Sequence, residues 1–148
     1  MDNNSQDPVL FRFFNEIGII EQLARARLEG VMPDGLKFSQ FIVLNHLVRL
    51  EGNWSPLRLA RAFQVTKGAM TNTLQRLAVR KLIKVGVNPK DGRAKIVSLT
   101  KAGRSMREAC LLSIAPILDE FENEFGSDTF LQTLPTLENV RKYLDENR

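Results

Sequence analysis

The sequence predicts a mainly α-helical protein carrying one small β-hairpin, and three observations lead there. Apolar residues recur at helical spacing over most of the chain. Two short β-prone runs, Ile83 to Asn88 and Lys95 to Leu99, are joined by Asn88-Pro89-Lys90-Asp91-Gly92. Proline presets the turn dihedral and Gly92 supplies freedom for positive φ, so the joint reads as a hairpin. Finally, Ser, Thr and Pro stand where helices would begin and Gly where they would end.

From Pro8, the residues Phe11, Phe14, Ile17, Ile20 and Leu23 mark a first helix, which Gly30 and the Met32-Pro33-Asp34-Gly35 turn stop. A second begins near Ser39, carries Phe41, Leu44, Leu47 and Val48 on one side, and ends at Gly52. Ser55-Pro56 then reads as an N-cap followed by proline at the first helical position, where a missing N–H costs nothing. The short helix it opens carries Leu57, Leu59, Ala60 and Phe63. Thr66 is the next capping residue, and Met70, Leu74 and Leu77 place a helix over about 66 to 81 with one inward stripe. Its outer positions, Lys67, Thr71, Asn72, Gln75, Arg76 and Arg80, are polar and none is acidic. Beyond the hairpin, Thr100 caps a long helix running past Gly103 through Cys110, Ile114 and Phe121. Pro116 is expected to kink it and Gly126 to end it. A final helical stretch, interrupted or restarted near Pro135, runs to about Leu144.

At 148 residues, with 43% hydrophobic and 26% charged, the chain is the size and balance of one folded domain with extra helices. No apolar run is long enough to span a bilayer, and the start MDNNSQDPV is polar and acidic, unlike a signal peptide. The cytoplasm is the expected compartment. Cys110 is the only cysteine and His46 the only histidine, which excludes an intramolecular disulfide and a Cys/His zinc cluster. No cofactor is expected. Without a nucleophile–base pair or a glycine-rich phosphate loop, an enzyme is the remotest reading.

Charge is more informative than its net value of +4. Residues 55 to 107 hold thirteen Lys/Arg against the single acid Asp91, whereas residues 108 to 148 hold three cations and nine acids. The partner suited to such a basic block is a polyanion. Helix, short helix, polar-faced helix and hairpin, in that order, describe a winged helix-turn-helix, whose second helix lies in the DNA major groove. Asn72 and Gln75 suit bidentate pairing with adenine, and Arg76 or Lys67 with guanine. Thr66 or Thr71 suits a phosphate or a thymine methyl, and Gly68 permits close approach to the DNA backbone. In the wing, a short charge-assisted bond from Asp91 would orient the Arg93 guanidinium; equally, Asp-Gly is a common turn pair.

These residues resemble the MarR family of bacterial transcriptional regulators. The resemblance is carried by Ser55-Pro-Leu-Arg-Leu-Ala, by Val65-Thr-Lys-Gly-Ala-Met-Thr-Asn-Thr-Leu-Gln-Arg-Leu, and by Asp91-Gly-Arg93 followed by Val97-Ser-Leu-Thr-Lys-Ala-Gly103. It implies a homodimer of winged-helix lobes, residues 36–107, joined by helical ends, residues 1–35 and 108–148. It also implies binding to a pseudo-palindromic double-stranded DNA operator, chiefly as a repressor. Carried across, Ser55 falls at a phosphate-contacting helix start and Thr66 to Arg76 on the recognition helix. Lys90, Asp91 and Arg93 fall on the wing, with Arg93 entering the minor groove. A small-molecule effector pocket between lobes is a further implication, with His46 and Trp54 as candidates; the plainer reading of both is core packing.

The flanks argue for association in their own right. Phe11, Phe13, Phe14, Ile17, Ile19 and Ile20 near the start, and Leu111 to Leu144 near the end, make helices apolar on more than one face. A two-fold dimer is the simplest closed solution. Cys110, in register with Met106 and Ile114, is expected to be buried and structural. The competing function is a winged-helix protein-interaction module whose basic face docks an acidic partner.

Overall fold

The computed structural model describes residues 7–148. Its elements are α1 (Val9–Val31), a single 3-10 turn (Pro33–Gly35), α2 (Phe38–Arg49), α3 (Pro56–Ala62), α4 (Lys67–Val79), β1 (Ile83–Val87), β2 (Lys95–Leu99), α5 (Lys101–Phe125) and α6 (Ser127–Glu146). Two compact units divide at Ser113/Ile114, inside α5, and α1 clusters with the winged-helix elements.

Local side-chain chemistry accounts for the starts of α3, α4 and α5. Ser55 Oγ accepts from Arg58 N at 3.1 Å and Thr66 Oγ1 from Ala69 N at 3.1 Å, each supplying one of the partners a helix start lacks. Thr100 Oγ1 accepts from Gly103 N at 2.9 Å and donates to Lys81 O at 2.8 Å, so one hydroxyl starts α5 and ties it to the end of α4. The start of α2 is different from the expectation at Ser39. Its N-cap is Lys37, whose N–H donates to Gln40 Oε1 at 3.0 Å, while Phe38 N donates to Glu29 Oε2 at 2.6 Å. A carboxylate at the end of α1 thus occupies the first turn of α2, where the helix dipole favours negative charge.

The ends of α3 and α4 share one device. Beyond α3, Gln64 N donates to Arg61 O and Val65 N to Ala60 O; beyond α4, Lys81 N donates to Ala78 O and Leu82 N to Leu77 O. This paired pattern is the Schellman motif, which needs a left-handed residue and usually takes glycine. Here Gln64 and Lys81 adopt it, with φ of 53° and 58°.

The core lies where α2, α3, α4 and the hairpin meet. Leu44, Leu59, Leu77 and Ile83 are its largest fully buried side chains, and the expected stripe Met70, Leu74 and Leu77 is buried in full. Leu57, grouped with the apolar side of α3, is instead 45% exposed. The strands pair antiparallel from Ile83↔Leu99 to Val87↔Lys95, and Trp54 adds a bridge to Val97, whose N–H donates to Trp54 O at 2.7 Å. Arg107 of α5 donates from Nε and Nη2 to Asn45 Oδ1 of α2, at 3.2 and 3.1 Å. Cys110 is fully buried, and burial pushes its thiol above the usual range.

A further expectation is overturned: α6 is continuous through Pro135. Proline there removes one intrahelical donor. The flanking Leu131 and Leu134 are 65% and 48% exposed. Neither α1 nor α6 contains a buried residue. No helix of the described residues is long and apolar enough to cross a membrane.

Candidate nucleic-acid interface

The inward stripe of α4 leaves Lys67, Gly68, Thr71, Asn72, Gln75 and Arg76 on the opposite side, and all six are exposed. Arg76 Nε donates to Asn72 Oδ1 at 3.4 Å, a long bond on the surface that holds the two side chains next to one another. Thr66 directs its Oγ1 lone pair to its own helix, which leaves the hydroxyl proton available to an external acceptor. Ser55 is in the same position at the start of α3.

The wing tip is built from two side-chain turns. Asn88 Oδ1 accepts from Lys90 N at 2.9 Å, and Asp91 Oδ1 accepts from Arg93 N at 3.1 Å. Main-chain bonds from Asn88 N to Ala94 O and from Ala94 N to Asp91 O close the loop, at 2.8 and 3.0 Å. Asp91 therefore reaches Arg93 through its backbone and not its guanidinium. Of the two sequence readings for Asp91, this geometry is that of the turn former.

Ser55, Lys67, Thr71, Gln75 and Arg93 come together around one groove of about 550 Å³ between α3, α4 and the wing. Leu57, Leu74 and Val85 contribute apolar walls to it, which gives the exposure of Leu57 its place. Lys95, at the first position of β2, also lines the groove and escaped the sequence reading. Its only sequence signal is a cation just beyond the Asp91-Gly92-Arg93 turn; that it stands opposite α4 follows from hairpin register.

His46 and Trp54 lie elsewhere. Their rings meet edge-on at 4.3 Å, and His46 also stands 5.1 Å from Phe63 at the end of α3. Trp54 Nε1 donates to Leu50 O at 3.1 Å, and the Arg58 guanidinium lies over the indole at 4.3 Å. Arg58 Nη1 donates further to Asn53 O. Arg58, within the Ser55-Pro-Leu-Arg-Leu-Ala run, has no role of its own legible in sequence, because a cation three residues past a cap signals nothing until its stacking partner is in place. His46 Nε2 is buried without a hydrogen-bond partner. Burial, then the nearby Arg49 and Arg58 charges, hold its pKa below the ordinary histidine value.

The MarR family model matches residues 34–94. No curated protein matches the sequence. Among solved structures, the chain is similar to a MarR mutant from E. coli at 24% identity, with a TM-score of 0.76 over 93% of this chain and 98% of that one. The same mutant complexed with operator DNA aligns at 25% identity and a TM-score of 0.71, over 88% and 94%. The transcriptional regulator BldR from Sulfolobus solfataricus aligns at 21% identity and a TM-score of 0.74, over 92% and 94%. The six helices and two-stranded wing of the described residues thus match the architecture of winged-helix MarR structures.

Proposed function

We propose, from the match of the MarR family model to residues 34–94, that this chain is a MarR-family, sequence-specific DNA-binding transcriptional repressor that acts as a homodimer on a pseudo-palindromic operator. The observation that carries the reading is the outward face of α4, six exposed polar or small residues without an acid. A helix fits the major groove, and these side chains match the donors and acceptors displayed there. Asn72, Gln75 and Arg76 read base edges; Ser55, Thr66, Lys67 and Thr71 hold the DNA backbone, with Gly68 allowing close approach. Lys90 and Arg93 extend the wing to the adjacent minor groove, where a guanidinium meets an enhanced negative potential. Asp91 shapes the tip that carries them.

The homodimer is supported by helices that bury nothing of their own. On α1, Phe11, Ile20 and Leu23 are 58%, 60% and 66% exposed; on α6, Leu131 and Tyr143 are 65% and 66%. Apolar surface of this extent marks an association site. The helical ends, residues 1–35 and 108–148, accordingly form the dimer region around lobes at 36–107. A small-molecule effector acts on this dimer by favouring a conformation in which the two lobes no longer match the operator spacing.

Selection of bound fragments from a random DNA pool tests the central reading. An enriched inverted repeat is expected, whose consensus changes when Asn72, Gln75 and Arg76 are replaced by alanine; no enrichment would overturn it. Retention of an acidic protein and no DNA would favour the protein-docking alternative. Light scattering on a chain lacking residues 1–24 should give monomers or aggregates, and an intact dimer would count against the proposed ends. Trp54, the only tryptophan, reports effector binding through its fluorescence.

A further inference from the structure

Two of the grooves bordering helix α4 flank its outward face. At about 100° per residue, Lys67, Thr71 and Ala78 leave the helix in one direction and Asn72, Arg76 and Val79 in another, with Gln75 on the boundary. The first set lines the groove toward the wing. The second lines a separate groove of about 480 Å³, completed by Gly35, Lys37 and Gln40 at the start of α2 and by Arg80 at the end of α4.

A helix with its side chains is about 10–12 Å across, and the major groove of B-DNA is about 12 Å wide. A helix seated there therefore brings both bordering phosphate strands against its flanks. The wing-side groove, with Ser55, Lys67 and Arg93, faces one strand. The other strand meets the second groove, whose chemistry suits an anion: Lys37, Arg76 and Arg80 line it and no carboxylate does. Gln40 adds a fixed donor. It is only 5% exposed, its Oε1 is engaged by Lys37 N, and among the described residues its Nε2 has no protein partner, on a side chain that lines the groove.

We propose that this groove between the start of α2 and α4 holds a DNA backbone phosphate, with Gln40 Nε2, Lys37 and Arg80 as its donors, so that each lobe grips both strands bordering α4. The inference rests on the DNA-binding reading above. The N-terminus of α2 is not itself the anion site, because Glu29 Oε2 already accepts from Phe38 N at 2.6 Å. Glu29 Oε1 also stands 3.7 Å from Lys37 Nζ, with both side chains substantially exposed. Exposed pairs of this kind are weak, so Lys37 exchanges the carboxylate for a phosphate.

Two variants test this on the full-length protein and a selected operator fragment. The double variant Lys37→Gln/Arg80→Gln removes both cations; both residues are helix caps, but each caps through its backbone N–H, which glutamine keeps. Gln40→Glu keeps an acceptor for Lys37 N but replaces the amide donor with a carboxylate oxygen. Circular dichroism checks that each folds like wild type. Wild type should show two clusters of ethylation-sensitive phosphates per half-site, and both variants should lose the cluster away from the wing. The log–log salt slope of the double variant should fall by about 0.9 per phosphate interaction lost. Between about 50 and 200 mM salt it should then lose roughly three- to four-fold less affinity than wild type per contact removed. Gln40→Glu should weaken binding several-fold while remaining folded. Unchanged slope, footprint and affinity in both variants, with wild type binding well, would overturn this inference alone. Failure of wild type to bind any selected DNA would overturn the DNA-binding reading and this inference together.

Discussion

Replacing Gly103 with alanine should destabilise the winged-helix lobe severely, for a reason visible in one contact. A Cβ on Gly103 would stand 2.0 Å from Leu82 O, 2.8 Å from Leu99 Cδ1 and 3.0 Å from Leu82 C. The leucine side chain has room to give, but the carbonyl is main chain and is held by Thr100 N at 3.2 Å. Relief therefore requires the first turn of α5 to move by about 1 Å relative to the end of α4, given a normal carbon–oxygen contact of about 3.3 Å. Overpacking of this kind costs about 1–3 kcal/mol. The shift also weakens the bonds of Thr100 to Leu82, Lys81 and Gly103, each worth about 0.5–1.5 kcal/mol net. A loss of about 3–5 kcal/mol follows, a large share of the 5–15 kcal/mol or so that holds a typical domain. Urea titration followed by circular dichroism and by Trp54 fluorescence measures it, and Gly68→Ala is the control. Gly68 is helical, with nothing within 4 Å of an added Cβ, so alanine there should be neutral or stabilise by up to about 1 kcal/mol. A Gly103→Ala protein with the midpoint and slope of wild type would refute the reasoning.

Three further outcomes are expected. Gln64→Gly should stabilise the chain by about 0.5–1 kcal/mol, since the left-handed conformation costs a side chain about 1–2 kcal/mol and glycine returns part of that as entropy; a lower midpoint in urea would contradict the Schellman reading. For His46, burial lowers the folded-state pKa below the ordinary histidine value, so below about pH 6.5 the unfolded chain binds the proton that the folded chain refuses. Stability should be complete above that pH and fall as pH drops through it toward 5, and His46→Phe should flatten the profile; parallel profiles would show that His46 does not titrate this way. In the wing, Asp91→Asn keeps an acceptor for Arg93 N and should bind DNA as well as wild type or better, whereas Asp91→Ala should weaken binding. Arg93→Ala should reduce the salt slope by about 0.9 per phosphate interaction lost, and equal losses for the Asn and Ala variants in salt titrations would return the orienting role to the Asp91 charge.

The elements legible from sequence are those whose causes lie within a few residues. Ser55, Thr66 and Thr100 cap because each hydroxyl reaches a backbone N–H three residues on, as Arg58, Ala69 and Gly103 provide. Met70, Leu74 and Leu77 are buried because helical periodicity alone puts them on one side. The basic block and the acid-free face of α4 are likewise composition and spacing, and they support the proposed DNA-binding role. Everything that depends on a distant partner had to wait for packing. Gln64 and Lys81 carry no sign of a left-handed backbone, since no glycine marks them; the motif is imposed by the carbonyls that α3 and α4 leave behind. Asp91 had two sequence readings because charge and turn chemistry use the same carboxylate, and only the geometry of the tip places it on Arg93 N. The continuity of α6 through Pro135 overrides a local penalty because one missing donor is small beside a helix of twenty residues. Nothing local marks Gln40 or Lys37 until the turn after α1 sets them beside Arg76 and Arg80, about forty residues away in the chain. Sequence determines the segments because their hydrogen bonds are local; tertiary structure decides the grooves because their walls come from segments that meet only when the core excludes water.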